Sequence, residues 1–201
     1  SWNCGWEGDE GVRDEVVRLR IRQAKNFCCL LMLSAGTPLF RAGDEFLQTQ
    51  RGNNNPFNQD NEFSWLDWDR LRTHTDFYRF FRLMIAFRQS HPSICRSRFW
   101  RDDVRWYGTG RDIDWSPESR KFAYYLSGNS QDDGNLYFMI NADWRDHTFS
   151  IQQFRRHEWR LAVDTSQDSP NDISEPDRMP IIKSARRTVP GRSVVVLVSS
   201  E

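Results

Sequence analysis

The sequence predicts an α+β fold: terminal helices and a strand of a (β/α) barrel, followed by an all-β antiparallel sandwich. Two observations lead to this prediction. In the first half, an amphipathic helix, a glycine turn, a short apolar strand and a polar loop follow one another, as in the repeating unit of such barrels. After Pro92 the sequence changes to short apolar segments between clusters of turn residues, as in an antiparallel sandwich. We therefore expect two domains, residues 1–92 and residues 98–201.

The first predicted helix spans about residues 12–33. Its apolar residues recur at spacings of three and four, the pattern of one helix face: Val17, Ile21, Ala24, Cys28 and Leu31. Residues 27–33 are apolar on all sides and are expected to be deeply buried. The arginines of the early turns, such as Arg20, are expected to face water. Gly36 ends the helix, and residues 37–41 are expected to form a short buried strand.

The remaining elements follow from similar signals. A second helix is predicted over residues 75–90, because apolar residues form a broad face there and Pro92 stops the helix at His91. Short apolar or alternating segments predict seven strands in the sandwich: residues 104–107, 122–126, 136–140, 148–151, 159–163, 181–182 and 193–198.

Composition argues against several classes of protein. The chain has 201 residues with 28 basic and 28 acidic side chains, a balance that argues against nucleic-acid binding. No apolar run is long enough to cross a membrane. The four cysteines have no metal-binding spacing, so we expect reduced, mostly buried thiols, a cytoplasmic protein and no metal ion or cofactor. Residues 1–8 read like the interior of a loop, and we expect a fragment of a longer protein.

The most informative segment is the polar loop after the predicted strand. Residues 51–62 are rich in amides, and residues 63–68 are rich in aromatic side chains. Amides and carboxylates form hydrogen bonds with sugar hydroxyls, and the face of Trp65 is suited to stacking on a pyranose ring. We therefore expect a carbohydrate site, in which one of Asp44 and Glu45 reaches the ligand and the other braces the loop. The alternative is an ordinary loop, because Asn, Gly and Asp also favour turns.

The chain shows no complete set of catalytic residues. A retaining glycosidase needs two carboxyl groups about 5 Å apart across the scissile bond, and neighbouring side chains at a strand end face opposite ways. Residues 132–134 are predicted to form a turn. His74 and His91, which bracket the second helix, are expected to serve in capping or packing.

Five stretches resemble the C-terminal portion of bacterial isoamylase-type glycogen debranching enzymes, in the α-amylase superfamily. The most specific is the loop with three asparagines. The stretches are residues 1–5 (SWNCG), 20–27 (RIRQAKNF), 43–45 (GDE), 53–68 (NNNPFNQDNEFSWLDW) and a tail with 114–117 (DWSP), 141–142 (NA) and 190–197 (PGRSVVVL). Pro56 and Phe57 depart from the more usual small and tyrosyl residues.

The resemblance implies that the chain closes a (β/α)8 catalytic barrel and continues into a C-terminal β-domain from about residue 98. Residues 1–11 would be the loop after the seventh strand, 12–35 the seventh helix, 37–41 the eighth strand and 75–90 the eighth helix. The catalytic Asp, Glu and second Asp of the family would lie upstream, so no catalytic residue is assigned here. The resemblance implies that five residues beside the substrate cleft bind ligand, in addition to Trp65: Asp44, Asn53, Asn54, Asn55 and Asp60.

The resemblance also implies an activity and partners. The longer protein would hydrolyse α-1,6 branch linkages of glycogen or a limit dextrin with retention, and its partner would be the remainder of the barrel. This chain alone is expected to be inactive. Two alternatives stay open: another enzyme of the superfamily, transglycosylating or trehalose-releasing, because a fold does not fix a reaction, or a non-catalytic carbohydrate-binding module formed by the sandwich.

Overall fold

The computed structural model describes residues 2–152 and 154–200. The first predicted domain begins at Ser1 and the second ends at Glu201, and both of these residues lie outside the described residues. In the described part the helices are α1 (Asp14–Leu33), α2 (Asp69–Thr73), α3 (Thr75–Ser90) and α4 (Pro92–Cys95). The strands are β1 (Val104–Tyr107), β2 (Lys121–Leu126), β3 (Leu136–Asn141), β4 (His147–Ser150), β5 (Glu158–Asp164), β6 (Arg186–Val189) and β7 (Ser193–Ser200). Both long helices are as predicted, apart from a later start of α1; α2 and α4 were not predicted.

The strands form the predicted antiparallel sandwich. Five of them make one sheet in the order β1-β2-β3-β7-β5, and β4 pairs with β6 in a second sheet. Because side chains alternate along a strand, Phe138 faces the helices with Tyr124 and Val196, its neighbours in register. The next residue, Tyr137, faces the second sheet together with Phe149 and Val189. The larger sheet is therefore buried on both faces, by helices on one side and by β4 and β6 on the other.

The prediction for residues 181–182 was only partly right. Ile181 forms a single isolated bridge with Arg160 rather than a strand. The strand in this region is β6, at Arg186–Val189, which sequence reasoning missed. The reason is that β6 carries two arginines and a threonine before its one buried residue, Val189, and so lacks an apolar signal.

The predicted strand over residues 37–41 is wrong as a description of this chain. These residues lie in no helix or strand, and Leu39 is 88% exposed. A strand exists only where its backbone pairs with a neighbour, and the paired strands of the described residues all lie beyond residue 103. Residues 37–41 therefore have the apolar sequence of a strand, but the described residues contain no neighbouring strand with which they could pair.

The expected deep burial of residues 27–33 is correct for one side only. Cys28, Cys29 and Met32 are buried against α3 and the sheet, but Phe27 is 57% exposed and Leu30 is 39% exposed. Within the described residues, the ring of Trp2 meets that of Phe27 edge-on at 6.3 Å, but much of this second apolar side of α1 stays exposed.

Cysteine burial was also overestimated. All four cysteines are free, and Cys28 and Cys29 are buried, but Cys4 is half-buried and Cys95 is exposed. Burial raises the pKa of the Cys28 thiol to about 12 and raises that of Cys29 as well, so neither forms a reactive thiolate near neutral pH.

A polar seam joins α1 to the sandwich. Lys25 Nζ lies 2.7 Å from Asp172 Oδ2, and Arg79 of α3 pairs with the other oxygen of the same carboxylate at 3.1 Å. Asn26 accepts a hydrogen bond from Thr165 Oγ1 at 2.6 Å. The helices and the sheet share one apolar core, so α1 packs on the sandwich of its own chain. The division into domains 1–92 and 98–201 stays a prediction.

Candidate functional site

The polar loop begins with a tight turn at Gly43. Its φ of 98° is left-handed, and a Cβ there would lie 2.7 Å from Gln48 Cβ and 3.0 Å from Leu66 Cδ2. Only glycine fits this turn. The short 3-10 helix Asp44–Phe46 follows, and Phe46 is buried with its ring 5.6 Å from that of Trp68. The loop therefore has a rigid base.

Asp44 and Glu45 both brace this turn. Asp44 Oδ2 accepts the backbone N–H of Arg41 at 2.9 Å, and Glu45 Oε2 accepts that of Gly43 at 2.8 Å. The expectation that only one of them braces the loop is therefore corrected. Asp44 remains exposed, with its Oδ1 atom unbonded among the described residues.

Gln48 holds the aromatic part of the loop against its start, which sequence reasoning did not find. Its Nε2 donates to the Trp65 carbonyl at 2.9 Å, and its Oε1 accepts the Asp67 N–H at 3.0 Å. Arg70 Nε adds a hydrogen bond to the Leu47 carbonyl at 2.7 Å. No sequence signal marks Gln48, because its partners lie 17 and 19 residues away.

The structure brings Asp60 and Trp65 together. Trp65 Nε1 donates to Asp60 Oδ1 at 2.7 Å, which fixes the edge of the indole, while 59% of the residue stays exposed. Asn53 Oδ1 accepts the N–H of Asn55 at 2.9 Å. The side chains of Asn54 and Asn55 are exposed and make no hydrogen bond among the described residues. The loop thus presents an aromatic face and two uncommitted amides.

A polar groove of about 630 Å³ lies between this loop and the first residues of the chain. Its lining residues are Glu7, Gly8, Asp9, Glu10, Thr49, Arg51, Gly52 and Arg70. Asp9 connects the two walls, because its Oδ2 accepts a hydrogen bond from Thr49 Oγ1 at 2.9 Å and its Oδ1 pairs with Arg20 at 3.0 Å.

Arg20 organises the first wall of the groove. Its guanidinium donates to the carbonyls of Asn3 at 3.1 Å and Gly8 at 2.9 Å, and also to the Trp6 carbonyl. The expectation that this arginine faces water was therefore wrong. The sequence offers only a weak signal for this role of Arg20, namely an arginine on a helix that follows a glycine-rich loop.

The groove and loop offer hydrogen-bond donors, acceptors and an indole face, which suit a polyhydroxylated ligand. Among the described residues, no cluster of three His, Cys, Asp or Glu side chains is arranged to hold a metal ion. In the same part of the chain, no helix is long and apolar enough to span a membrane. A cytoplasmic location stays a prediction.

Comparisons with known proteins agree with these features. Residues 105–193 match the family model "Isoamylase 1-3, C-terminal". Isoamylase 3, chloroplastic, from Oryza sativa subsp. japonica is 36% identical over 199 residues, which is 98% of this chain and 25% of that protein. The GlgX homolog of Mycobacterium tuberculosis strain H37Rv is 40% identical over 223 residues, covering 98% of this chain and 30% of the homolog.

Solved structures show the same fold. Pullulanase from Bacillus acidopullulyticus superposes with a TM-score of 0.71 at 18% identity, over 94% of this chain and 21% of that one. Pullulanase from Paenibacillus barengoltzii, in complex with maltohexaose and alpha-cyclodextrin, gives a TM-score of 0.68 at 25% identity, over 95% of this chain and 26% of its own.

Most of the sandwich, residues 105–193, thus corresponds to the C-terminal domain of isoamylases. Residues 105–193 match the isoamylase C-terminal family model, and the chain is 36–40% identical to isoamylase 3 and a GlgX homolog, which confirms the resemblance found in its sequence. The chain spans about a quarter of the length of the curated relatives it matches, between 22% and 30%.

Proposed function

We propose that the chain is part of a glycoside hydrolase that cleaves α-1,6 branch linkages of glycogen or a related α-glucan with retention. The observation that carries this proposal is the similarity of nearly the whole chain to isoamylases and GlgX homologs. A protein named glycogen debranching enzyme, from Dickeya chrysanthemi, is also 34% identical over 170 residues.

In this proposal, residues 1–92 are the end of a (β/α)8 catalytic barrel, and the partner of this chain is the remainder of that barrel. The exposed apolar residues support it. Leu39 and Phe27 are 88% and 57% exposed, and the segment from 37 to 41 has the composition of a buried strand. Strands on both sides would pair its backbone and cover its side chains.

The proposed ligand-binding residues are Asp44, Asn53, Asn54, Asn55, Asp60 and Trp65. Trp65 is the strongest of them, because Asp60 fixes its indole edge and leaves its face open for a pyranose ring. The two uncommitted amides, Asn54 and Asn55, are placed to bond sugar hydroxyls. These residues bind and orient the branched chain, which contributes to rate by positioning.

The reaction itself is assigned to carboxyl groups outside this chain. In a retaining mechanism, one carboxylate forms a covalent glycosyl intermediate, and the second acts first as acid and then as base. We therefore propose that the 201-residue chain binds glucan but does not hydrolyse it.

The ligand site is tested by replacing Trp65 with Ala in the longer protein that contains this chain. If stacking of one sugar on Trp65 contributes about 1.4 kcal/mol to binding, its loss raises the KM for a branched dextrin about tenfold. Trp144→Ala is the control, since Trp144 is 62% exposed and packs under Arg145 in the sandwich. An unchanged KM for Trp65→Ala would remove this residue from the site.

Product analysis of the same protein separates the proposed reaction from the alternatives. Release of short linear glucans from glycogen supports debranching. Formation of trehalose or of lengthened chains would instead identify another reaction of the superfamily.

A further inference from the structure

The β-sandwich carries a second exposed aromatic surface that the proposed site does not use. It consists of Trp106 on β1 and Trp115 in the connection between β1 and β2, and we call it the tryptophan pair. The ring centroids are 6.2 Å apart and the ring planes are inclined by 60°. Trp106 is 40% exposed and Trp115 is 72% exposed.

The tryptophan pair is supported from below. The ring of Trp106 packs on Tyr124 at 5.0 Å and on Phe122 at 5.9 Å. Tyr124 in turn stacks on Phe138 of β3 at 4.2 Å, inside the core. The orientation of Trp106 is therefore fixed by the sheet, so a ligand that stacks on it loses little entropy in ordering the protein.

The pair and its neighbour in sequence carry polar groups. Asp114 Oδ1 accepts the N–H of Ser116 at 2.9 Å. Hydrogen bonds from Ser116 and the nearby charge of Lys121 lower the pKa of the Asp114 carboxyl, so it is ionised at neutral pH. The indole N–H groups of Trp106 and Trp115 have no hydrogen-bond partner among the described residues. The pair thus offers two exposed aromatic rings and two unused donors, and the residue next to Trp115 in sequence carries a carboxylate.

We propose that the tryptophan pair is an auxiliary binding surface for the glucose chain of an α-glucan. A pyranose ring has an apolar face for stacking and a rim of hydroxyls for the indole donors and Asp114. Successive rings of an α-1,4-linked chain are inclined to each other, as are the two indoles. The choice of α-glucan rests on the proposed function, since a polymeric substrate can engage one protein at two places.

A protein partner fits this surface less well. An apolar protein face would bury the two indole donors unpaired, which costs free energy, whereas sugar hydroxyls and water satisfy them. Multiple attachment to one polymer also raises the effective concentration of branch points near the active centre.

The test is affinity electrophoresis of the 201-residue chain in native gels containing glycogen. The wild-type chain is expected to be retarded, and Trp115→Ala is expected to weaken binding at least tenfold. Among the described residues, the one aromatic ring that Trp115 contacts is that of Trp106, so the folded state should persist, and near-ultraviolet circular dichroism checks this. Trp144→Ala is the matched control and should be retarded like wild type. Equal retardation of Trp115→Ala and wild type, or no retardation of wild type, overturns the proposal.

Two further outcomes are informative. If Trp115→Ala changes the oligomeric state in sedimentation without changing retardation, the surface binds a second copy of the chain and the proposal is wrong. If the longer protein releases no linear glucan while retardation still depends on Trp115, the proposed function fails and the auxiliary surface stands.

Discussion

At the scale of single residues, the buried charged side chains and their partners could not be predicted from the sequence. Lys25 lies among apolar residues of α1, and its partner Asp172 stands in a segment that reads as a turn. Periodicity identifies which side of a helix is apolar, but it does not reveal a charge whose partner is 147 positions further along the chain. Buried charges occur only where they are paired, so the pairing had to come from the structure.

Replacing Lys25 with Met should leave the carboxylate of Asp172, which is 0% exposed, with Arg79 as its remaining ion-pair partner. Removing one member of a buried ion pair costs about 3–5 kcal/mol. Urea unfolding should show this loss as a lower midpoint. The control is Arg72→Met, which removes the exposed pair with Asp69 and should leave the midpoint unchanged. Equal midpoints for Lys25→Met and wild type would contradict a role for the seam.

Asp133 is a second buried charge that the sequence did not predict, since residues 132–134 were expected to form only a turn. It accepts hydrogen bonds from His91 at 2.8 Å and from the Ser93 N–H at 3.0 Å, and so joins the end of α3 to the sandwich. Although burial opposes ionisation, these hydrogen bonds lower the pKa of Asp133 below its ordinary value of 3.8. The stabilisation is present above that value and is lost as pH falls through the lower, folded-state pKa.

Asp133→Asn should therefore lower the free energy of unfolding at pH 7 by about 1–3 kcal/mol. The difference from wild type should shrink as pH falls below 4, because wild type then loses the same charge. Urea titrations between pH 7 and pH 3 measure both effects. Asp132→Asn is the control, because Asp132 is exposed and has a left-handed φ of 49° that asparagine tolerates. A constant difference between Asp133→Asn and wild type at every pH would refute the linkage.

At the scale of elements, the predictions succeeded where the signal was local. Helix α3 has the predicted ends because Pro92 stops it, and the central strands β2, β3 and β7 are continuous apolar runs. They failed where structure depends on a partner. The segment from 37 to 41 has no neighbouring strand in the described chain, and β6 is a strand only because β4 pairs with it.

For the candidate site, too, the sequence predicted the local features and missed the contacts between distant positions. The loop was identified by its amides and Trp65. The hydrogen bonds that shape it are those of Gln48 and the one that Thr49 donates to Asp9. They join distant positions, so the sequence does not reveal them.

Gly43→Ala should disturb the loop through its turn. A Cβ at this position meets Gln48 Cβ at 2.7 Å and the φ is 98°, so we expect a loss of about 1–3 kcal/mol and faster proteolytic cleavage within residues 43–70. Gly110→Ala is the control, since nothing lies within 4 Å of a Cβ there. Equal cleavage rates for Gly43→Ala and wild type would show that the turn does not hold the loop.

At the scale of the whole molecule, the chain combines a complete sandwich with helices that leave apolar side chains uncovered. The sandwich has a core on both faces of its main sheet, and α1 and α3 cover one of these faces. In contrast to the buried faces of the sheet, the outer side of α1 leaves Phe27 and Leu30 exposed. This contrast supports the proposal that the chain, which spans about a quarter of its relatives, completes a larger catalytic unit.

The most direct test of this account is proton NMR of glycogen treated with the 201-residue chain and, separately, with the longer protein that contains it. Only the longer protein is expected to remove the α-1,6 anomeric signal, and the first-formed reducing ends should have the α configuration. Loss of that signal with the 201-residue chain alone, or its persistence with the longer protein, would contradict the account.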